Sequence, residues 1–572
     1  MQSVAGVLAV APANGANGQP LVFPRVDYLA ILPELILCGA ALVLLLMVSI
    51  FKTKPDHAIY STFTAAVAGV AVASTFWLWD DVNKTGARAA YAGAIARDHY
   101  HLFFVVVIGI ALLLSTLITS DWLQRQRIEG PEFYVLAMLS AAGGMLMAGA
   151  NDLIVVFLAL EILSIALYVL AGFNRRDEKS REAAIKYFVL GAFSSAIFLY
   201  GVALVYGATG TTNLSRIASF LATNLLIDNG LLLAGMAMLA VGFGFKVAAV
   251  PFHQWTPDVY EGSPTPITGF MAAAAKAAGF AAFIRVFIGP LFSLKLDWQP
   301  ILLVLAIVTL LVGSIVACVQ TNVKRMLAYS SISHAGYVLL GLQAATVDGV
   351  SASLFYLLAY TFMVIGGFAV VTAVSGRDDR EHDLEAFRGL GRRRPLVALG
   401  FAVLLLAQAG VPLTSGFLAK FYVISALARN GSYGTAIFAM LAAAVAAYFY
   451  LRIITVMYSP AVASSERVPS TVDAIVEPDA EIVAPQAGTV GSETSGVATL
   501  EAPPIEQRMT HGAAMVGQDN RDGFELPPST WLALSVAVAA TLVLGVIPQS
   551  WLDALGFARR AAADLFPVLP PP

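Results

Sequence analysis

Apolar residues in this chain gather in long unbroken blocks. They do not form the i, i+3, i+4 stripe of a soluble amphipathic helix or the alternation of a half-buried strand. Fourteen blocks approach the roughly 20 residues that cross a hydrocarbon core of about 30 Å. They are 28–50, 58–79, 101–119, 132–149, 152–172, 183–207, 229–257, 264–289, 299–319, 326–342, 350–375, 395–428, 434–458 and 529–550. A transmembrane barrel would instead show alternating segments of about ten residues. The block at 326–342 is short and polar, with Ser330, Ser331, Ser333 and His334, so it must face protein or water.

Blocks 229–257 and 395–428 are too long for one straight crossing at about 1.5 Å per residue. Each contains a breaker near a lysine: Pro251 in Lys246-Val-Ala-Ala-Val-Pro251-Phe-His253, and Gly410, Pro412 and Gly416 ahead of Lys420. Proline removes an amide hydrogen and crowds the preceding turn, and carbonyls freed at membrane depth need polar partners. The pattern predicts an all-α polytopic membrane protein of about 14 transmembrane helices, with helices 7 and 12 broken. The breaks lie about 161 residues apart in spans of opposite direction, as expected for two inverted five-helix repeats, spans 4–8 and 9–13. The expected division is an N-terminal tail (1–27), three helices (28–131), a first repeat (132–289), a second repeat (290–458), a loop (459–528) and a last helix with its tail (529–572).

Composition sharpens this picture. Of 572 residues, 58% are hydrophobic and 12% charged, and mean hydropathy is +0.77. A soluble domain carries about 25% charged residues, so a soluble multidomain chain is excluded. Net charge −3 supplies no field for nucleic acid. Cys38 and Cys318 both lie in apolar blocks and read as small buried hydrophobes, not as a disulfide or metal framework. With the N-terminus placed outside, the inner loops hold sixteen Lys and Arg and the outer segments ten, leaving out the long loop. That bias favours both termini outside. The stretch 461–525 has eleven acidic residues, three arginines and one aromatic; it cannot bury a core and reads as a disordered acidic linker.

Five basic residues remain inside spans: Lys186, Lys246, Lys276, Lys420 and Arg452, joined by Glu161. Each cation at mid-span costs about 2.5–3.5 kcal/mol, so these face protein or hydrated cavities and are candidates for an ion or proton path. Counting from a cap at Asn151 or Asp152, Glu161 lies roughly 13 Å into its span, and Lys276 about 18 Å into its own. Lys186 and Arg452 lie near span ends, where snorkelling competes with function. Glu34 is expected at the interface. His253 and His334 are too far apart in the chain to suggest a metal pair; each fits a relay or a hydrogen-bonded buried imidazole. The sequence offers no cysteine set for an iron–sulfur cluster and no nucleotide fingerprint.

The stretch Val250-Pro-Phe-His-Gln-Trp-Thr-Pro-Asp-Val-Tyr-Glu-Gly262-Ser-Pro-Thr-Pro, followed by Lys276-Ala-Ala-Gly-Phe, resembles NADH–quinone oxidoreductase subunit N, an antiporter-like family of the membrane arm of respiratory complex I. Supporting stretches are Glu161-Ile-Leu-Ser, Glu182-Ala-Ala-Ile-Lys186-Tyr-Phe, Lys324-Arg-Met-Leu-Ala-Tyr-Ser-Ser-Ile-Ser-His334 and Pro412-Leu-Thr-Ser-Gly-Phe-Leu-Ala-Lys420. The resemblance implies a subunit that couples electron transfer from NADH to quinone, carried out in other subunits, to proton pumping. It implies a charge pair of Glu161 and Lys186, a central Lys246, an onward path through Lys276 and His253, and an exit-side Lys420. It implies no cofactor in this chain, with FMN and iron–sulfur clusters elsewhere in the complex. The implied partners are other complex I membrane subunits and lipid, with NADH and quinone handled by the complex. A subunit of a multi-subunit cation/proton antiporter or of a membrane-bound hydrogenase fits the same lysines and breaks, and a spacer whose charges merely pack is the plainest alternative.

Overall fold

The computed structural model describes residues 26–50, 56–224, 229–376, 378–460, 526–546 and 553–566. The helices in chain order are α1 (Leu32–Ile50), α2 (His57–Thr85), α3 (His99–Arg125), α4 (Glu132–Gly149), α5 (Leu153–Ala171), α6 (Glu178–Thr209), α7 (Leu214–Thr223), α8 (Gly230–Val247), α9 (Trp255–Gly262) and α10 (Thr265–Phe270). They continue with α11 (Lys276–Ile288), α12 (Lys295–Val319), α13 (Val323–Gln343), α14 (Val347–Val374), α15 (Leu390–Arg393), α16 (Pro395–Ala409), α17 (Ser415–Arg429), α18 (Tyr433–Tyr458), α19 (Pro528–Val546) and α20 (Ala554–Ala563). One antiparallel hairpin, β1 (Arg88–Ala90) with β2 (Ile95–Arg97), links α2 to α3 and pairs Arg88 with Arg97. The chain divides into a helical unit and a second unit, Ser459–Leu526, almost all of which lies outside the described residues, as does the expected N-terminal tail up to residue 25.

The all-α membrane architecture follows from the blocks. Among the described residues twelve helices are long and apolar enough to cross a bilayer. Two of the fourteen expected crossings fall outside that set: α13 is too polar, and the 395–428 block is cut into α16 and α17, of fifteen residues each. Local sequence sets the starts. Asp98, Asp152, Asn322, Thr346 and Thr414 cap α3, α5, α13, α14 and α17 by accepting a first-turn amide with the side chain.

Both overlong blocks leave helical geometry. The first stops at Val247, turns left-handed at Ala248 and restarts at Trp255. The second stops at Ala409, where Gly410 adopts φ +96°, and restarts at Ser415. Gly416 lets the restarted helix pass directly against the Ala407 carbonyl, where any Cβ would collide.

Burial separates two classes of helix. Every residue of α10, of the π turn Met271–Ala275 and of α11 is buried, and α3, α13 and α14 are buried over most of their length. Helices α1, α2, α6, α12 and α18 instead expose large apolar side chains such as Leu46, Phe76, Phe193, Val304 and Leu441. A soluble protein rarely exposes so much apolar surface; lipid is its natural solvent. The polar groups of α10, α11 and α13 are therefore shielded from lipid by an outer layer of helices.

Candidate functional site

On α5, Glu161 and Ser164 stand one turn apart on the same face. Lys246, in the last turn of α8, is buried and donates from Nζ to Ser164 Oγ at 2.8 Å. Its ammonium also lies 5.9 Å from the centroid of the Tyr187 ring. Its stem passes Gly279 of α11, where an added Cβ would sit 3.1 Å from Lys246 Cγ. That glycine lets the Lys246 stem pack directly against the helix that carries Lys276. A cavity of about 10 Å³, lined in part by Ser164, Tyr168, Ser194 and Lys246, is at the limit of what one water needs. Glu161 Oε1 is buried with no hydrogen-bond partner among the described residues.

Lys186 does not pair with Glu161. Its Nζ reaches Asp258 Oδ2 at 2.8 Å and Glu182 Oε1 at 2.6 Å. Asp258 also holds Arg325, at 2.7 Å, and Arg325 reaches Glu261, which binds Lys179. The reason is reach: α9 folds back across the first turns of α6 and α13 and presents Asp258 and Glu261, at i and i+3, to both. Asp258 was legible only as a family marker; its pairing needs the fold.

Lys276 follows the π turn, and π turns are enriched at functional sites. Its buried Nζ donates to Ser331 O at 2.5 Å and to Ser331 Oγ at 2.6 Å. The preceding residue, Ser330, bonds Gln408 Oε1 at 3.3 Å and the Tyr450 hydroxyl. Tyr450 also meets His334 Nε2 at 2.9 Å, and His334 Nδ1 meets the Tyr356 hydroxyl at 2.6 Å. Lys420 closes the line: its Nζ donates to the carbonyls of Gln408 and Ala409, each at 2.8 Å, the last carbonyls of α16 before the break. From Lys276 to Lys420 there is thus a buried file of polar groups: Ser331, Ser330 and Gln408. His253 is half-buried in the turn between α8 and α9 and is not bonded to any of these lysines.

Several charges sit otherwise than their sequence positions suggest. Glu34 is buried, not interfacial, because His101 Nε2 reaches its Oε1 at 2.8 Å. Arg452 does not snorkel to solvent; its Nη1 caps the end of α12 through Cys318 O and Gln320 O, both at 2.9 Å. Arg285 is buried at the far end of α11, paired with Asp98 through two 2.8 Å bonds and donating from Nε to Ala148 O. Lys324 is buried at the start of α13 and donates to Ser263 O at 2.6 Å.

Beside Lys324, Asp379 accepts from Trp122 Nε1 at 2.9 Å, from the Thr265 amide at 3.1 Å and hydroxyl at 2.6 Å, and faces His382 Nε2 at 3.0 Å. Burial alone would raise the Asp379 carboxyl, but Lys324, His382 and Thr265 overcome it and hold it well below the usual carboxylate range. Burial, then the Lys324 charge, pushes His382 below its ordinary value, with Asp379 pulling the other way. Among the described residues no group of three or more His, Cys, Asp or Glu is arranged to hold a metal ion.

Broken helices, buried lysines and a shielded polar file define the class of antiporter-like membrane subunits. Residues 150–447 match the family described as NADH:quinone oxidoreductase/Mrp antiporter, transmembrane. The chain is 43% identical over 440 residues to NADH-quinone oxidoreductase subunit N of Trichlorobacter lovleyi, covering 76% of this chain and 88% of that protein. It is 42% identical over 478 residues to subunit N of Mycobacterium tuberculosis, covering 76% and 90%. Among solved structures it is similar to a chain of respiratory complex I from Thermus thermophilus, at 31% identity and TM-score 0.69, covering 91% of this chain and 99% of that one. The fold is also similar to a chain of the Mrp complex of a Dietzia species, at 21% identity and TM-score 0.75, covering 94% and 98%. The chain belongs to the NADH-quinone oxidoreductase subunit N family.

Proposed function

We propose that this chain is the proton-translocating membrane subunit of an NADH–quinone oxidoreductase, and that protons move along its buried lysines. The observation that carries the reading is the file Lys276–Ser331–Ser330–Gln408–Lys420, closed to lipid and built on two helices that start at one end of the bundle and a third that breaks inside it. Intramembrane ionisable groups lining such a path are the usual bearers of proton relays. The redox steps belong to other subunits, which would carry the FMN and the iron–sulfur clusters; this chain contributes the path.

In the proposed cycle Lys246 carries a proton and exchanges partners. Bound to Ser164 it has one neutral acceptor; turned by one helical step it meets the carboxylate of Glu161. Such a change of partner alters the free energy of the ammonium by a few kcal/mol, since about 1.36 kcal/mol corresponds to one pKa unit. The charge-pair switch thus runs between Glu161 and Lys246, because Lys186 is engaged by Asp258 and Glu182. A proton released from Lys246 passes to Lys276, one helical turn from the Gly279 contact with the Lys246 stem, then to Lys420. Lys186 and His253 flank this line. The two five-helix halves, with their breaks at 248–254 and 410–414, are read as inverted repeats, and both termini as periplasmic.

The test has two steps. Purified from its native membrane, the chain is expected to co-migrate with flavin- and iron–sulfur-containing subunits; cation/proton exchange by a particle lacking them would favour the antiporter alternative. Lys276→Ala in the assembled complex is then expected to abolish NADH-driven proton uptake. Uptake at the parent rate would refute the relay.

A further inference from the structure

The two helical rods that carry the buried file begin side by side: α10 at Thr265 and α13 at Val323. Between their first turns lies a cavity of about 530 Å³. At about 30 Å³ per water it holds on the order of a dozen or more molecules, and its walls are charged. Its floor consists of Lys324, Asp379 and His382, each with a side chain more than nine-tenths buried. The loops and first helical turns around it carry Arg175, Arg176, Lys179, Arg181, Arg325 and Arg380, the excess of positive charge expected of the inner end.

His382 is fixed from two sides. Its backbone carbonyl accepts the Val323 amide at 2.7 Å, and its ring faces Asp379. Asp379 is an acceptor with its lone pairs engaged by Trp122, Thr265 and His382. A carboxylate held in this way orients an imidazole and does not carry the proton itself. Because it can only accept, Nε2 of His382 holds the hydrogen and Nδ1 is left as the basic nitrogen. The charged groups facing the ring are Asp379 on its own loop, Lys324 on α13 and Glu261 on α9. Beyond it, the Thr265 hydroxyl lies 3.4 Å from Nε2, and Thr268, one turn on, is fully buried on the same face of the rod that continues to Lys276.

We propose that this cavity is where protons are loaded from the inner aqueous phase, with His382 as the group that takes them from cavity water and Asp379 as the residue that positions it. The proton adds to Nδ1, and the resulting imidazolium is balanced by Asp379. The Nε2 hydrogen leaves along the Thr265 side toward Lys276, and tautomer exchange through cavity water restores the neutral ring, so each turnover passes one proton and changes nothing else. The inference rests on the relay reading above and adds its point of loading.

The assembled complex in inside-out vesicles, with the inner face toward the medium, tests it. His382→Ala is expected to lower NADH-driven proton uptake at least about tenfold, within the range general acid–base groups contribute. Added imidazole, which fits the cavity, is expected to restore it. His382→Gln, which keeps the bond to Asp379 but cannot titrate, is expected to be equally slow and not to respond to imidazole. Parent-level uptake in His382→Ala, or loss without imidazole rescue, overturns the assignment. If His382→Ala fails to assemble, Asn174→Cys on the cavity wall decides: a bulky membrane-impermeant thiol reagent added to the medium is expected to block uptake in this variant and not in the parent, and no block overturns the assignment. Lys276→Ala separates the two readings. Normal uptake there refutes the relay, whereas a dead Lys276→Ala with a normal His382→Ala refutes only the loading site.

Discussion

The two broken helices solve the same problem in opposite ways. At the first, the lysine precedes the break and points away from it: Lys246 bonds Ser164 on α5, while the Phe245 carbonyl accepts the Ala248 amide at 3.1 Å and Trp255 Nε1 at 3.0 Å. At the second, the lysine follows the break and reaches back across it, so that Lys420 itself satisfies the freed carbonyls of Gln408 and Ala409. The first break is closed by backbone amides and an indole, which leaves its lysine with one neutral side-chain partner. The second break is closed by its own lysine. A lysine beside a membrane break can thus leave the break to other donors, as Lys246 does, or clasp it as well as line the path, as Lys420 does.

The largest expected effect is at the clasp. Lys420→Ala orphans one buried and one part-buried carbonyl, at roughly 1–3 kcal/mol for the buried one, so it should lower the thermal midpoint of the purified complex as well as proton uptake. Lys246→Ala should abolish uptake while shifting the midpoint little. Equal midpoint losses in the two variants would erase the distinction.

Gly279→Val comes next. It pushes against the Lys246 stem and Val247, which leave no room for a side chain there, and overpacking of this kind costs about 1–3 kcal/mol. Reduced uptake with an assembled complex is expected, and unchanged uptake would mean that Lys246 needs no passage past α11. The smallest effect is Trp255→Phe, which removes one donor from Phe245 O for about 1 kcal/mol. A slightly lower midpoint with most of the uptake retained is expected; a loss as large as that of Lys420→Ala would show that the two breaks are closed equivalently.

The scarcity of charge makes much of this legible in the sequence alone. Glu161, Lys246, Lys276 and Lys420 stand out because almost nothing else in their blocks is polar, and Pro251 and Pro412 mark the breaks because apolar runs of that length cannot stay straight. The partners were not legible. Ser164 lies one turn from Glu161, a usable signal, but Gln408 acts partly through its backbone carbonyl, which any residue could supply. Asp258 lies 72 positions from Lys186, so only the folding back of α9 joins them. Lys324 and Arg325 are neighbours in the first turn of α13, and nothing in their order tells that the first is buried and the second half-exposed. Glu34, expected at the interface, is brought inside by a distant partner, His101, as Arg285 is by Asp98. Loop counts treat every charge near a span end as solvated, and long-range pairing overrides that.

The central claim is that Lys246 carries protons and does not merely fill space. The most direct measurement is proton uptake per NADH oxidised in proteoliposomes holding the fully assembled complex with Lys246→Ala. The account predicts that NADH-driven uptake is lost, with the midpoint of thermal unfolding close to that of the parent. An assembled Lys246→Ala complex that translocates the parent number of protons per NADH would contradict it.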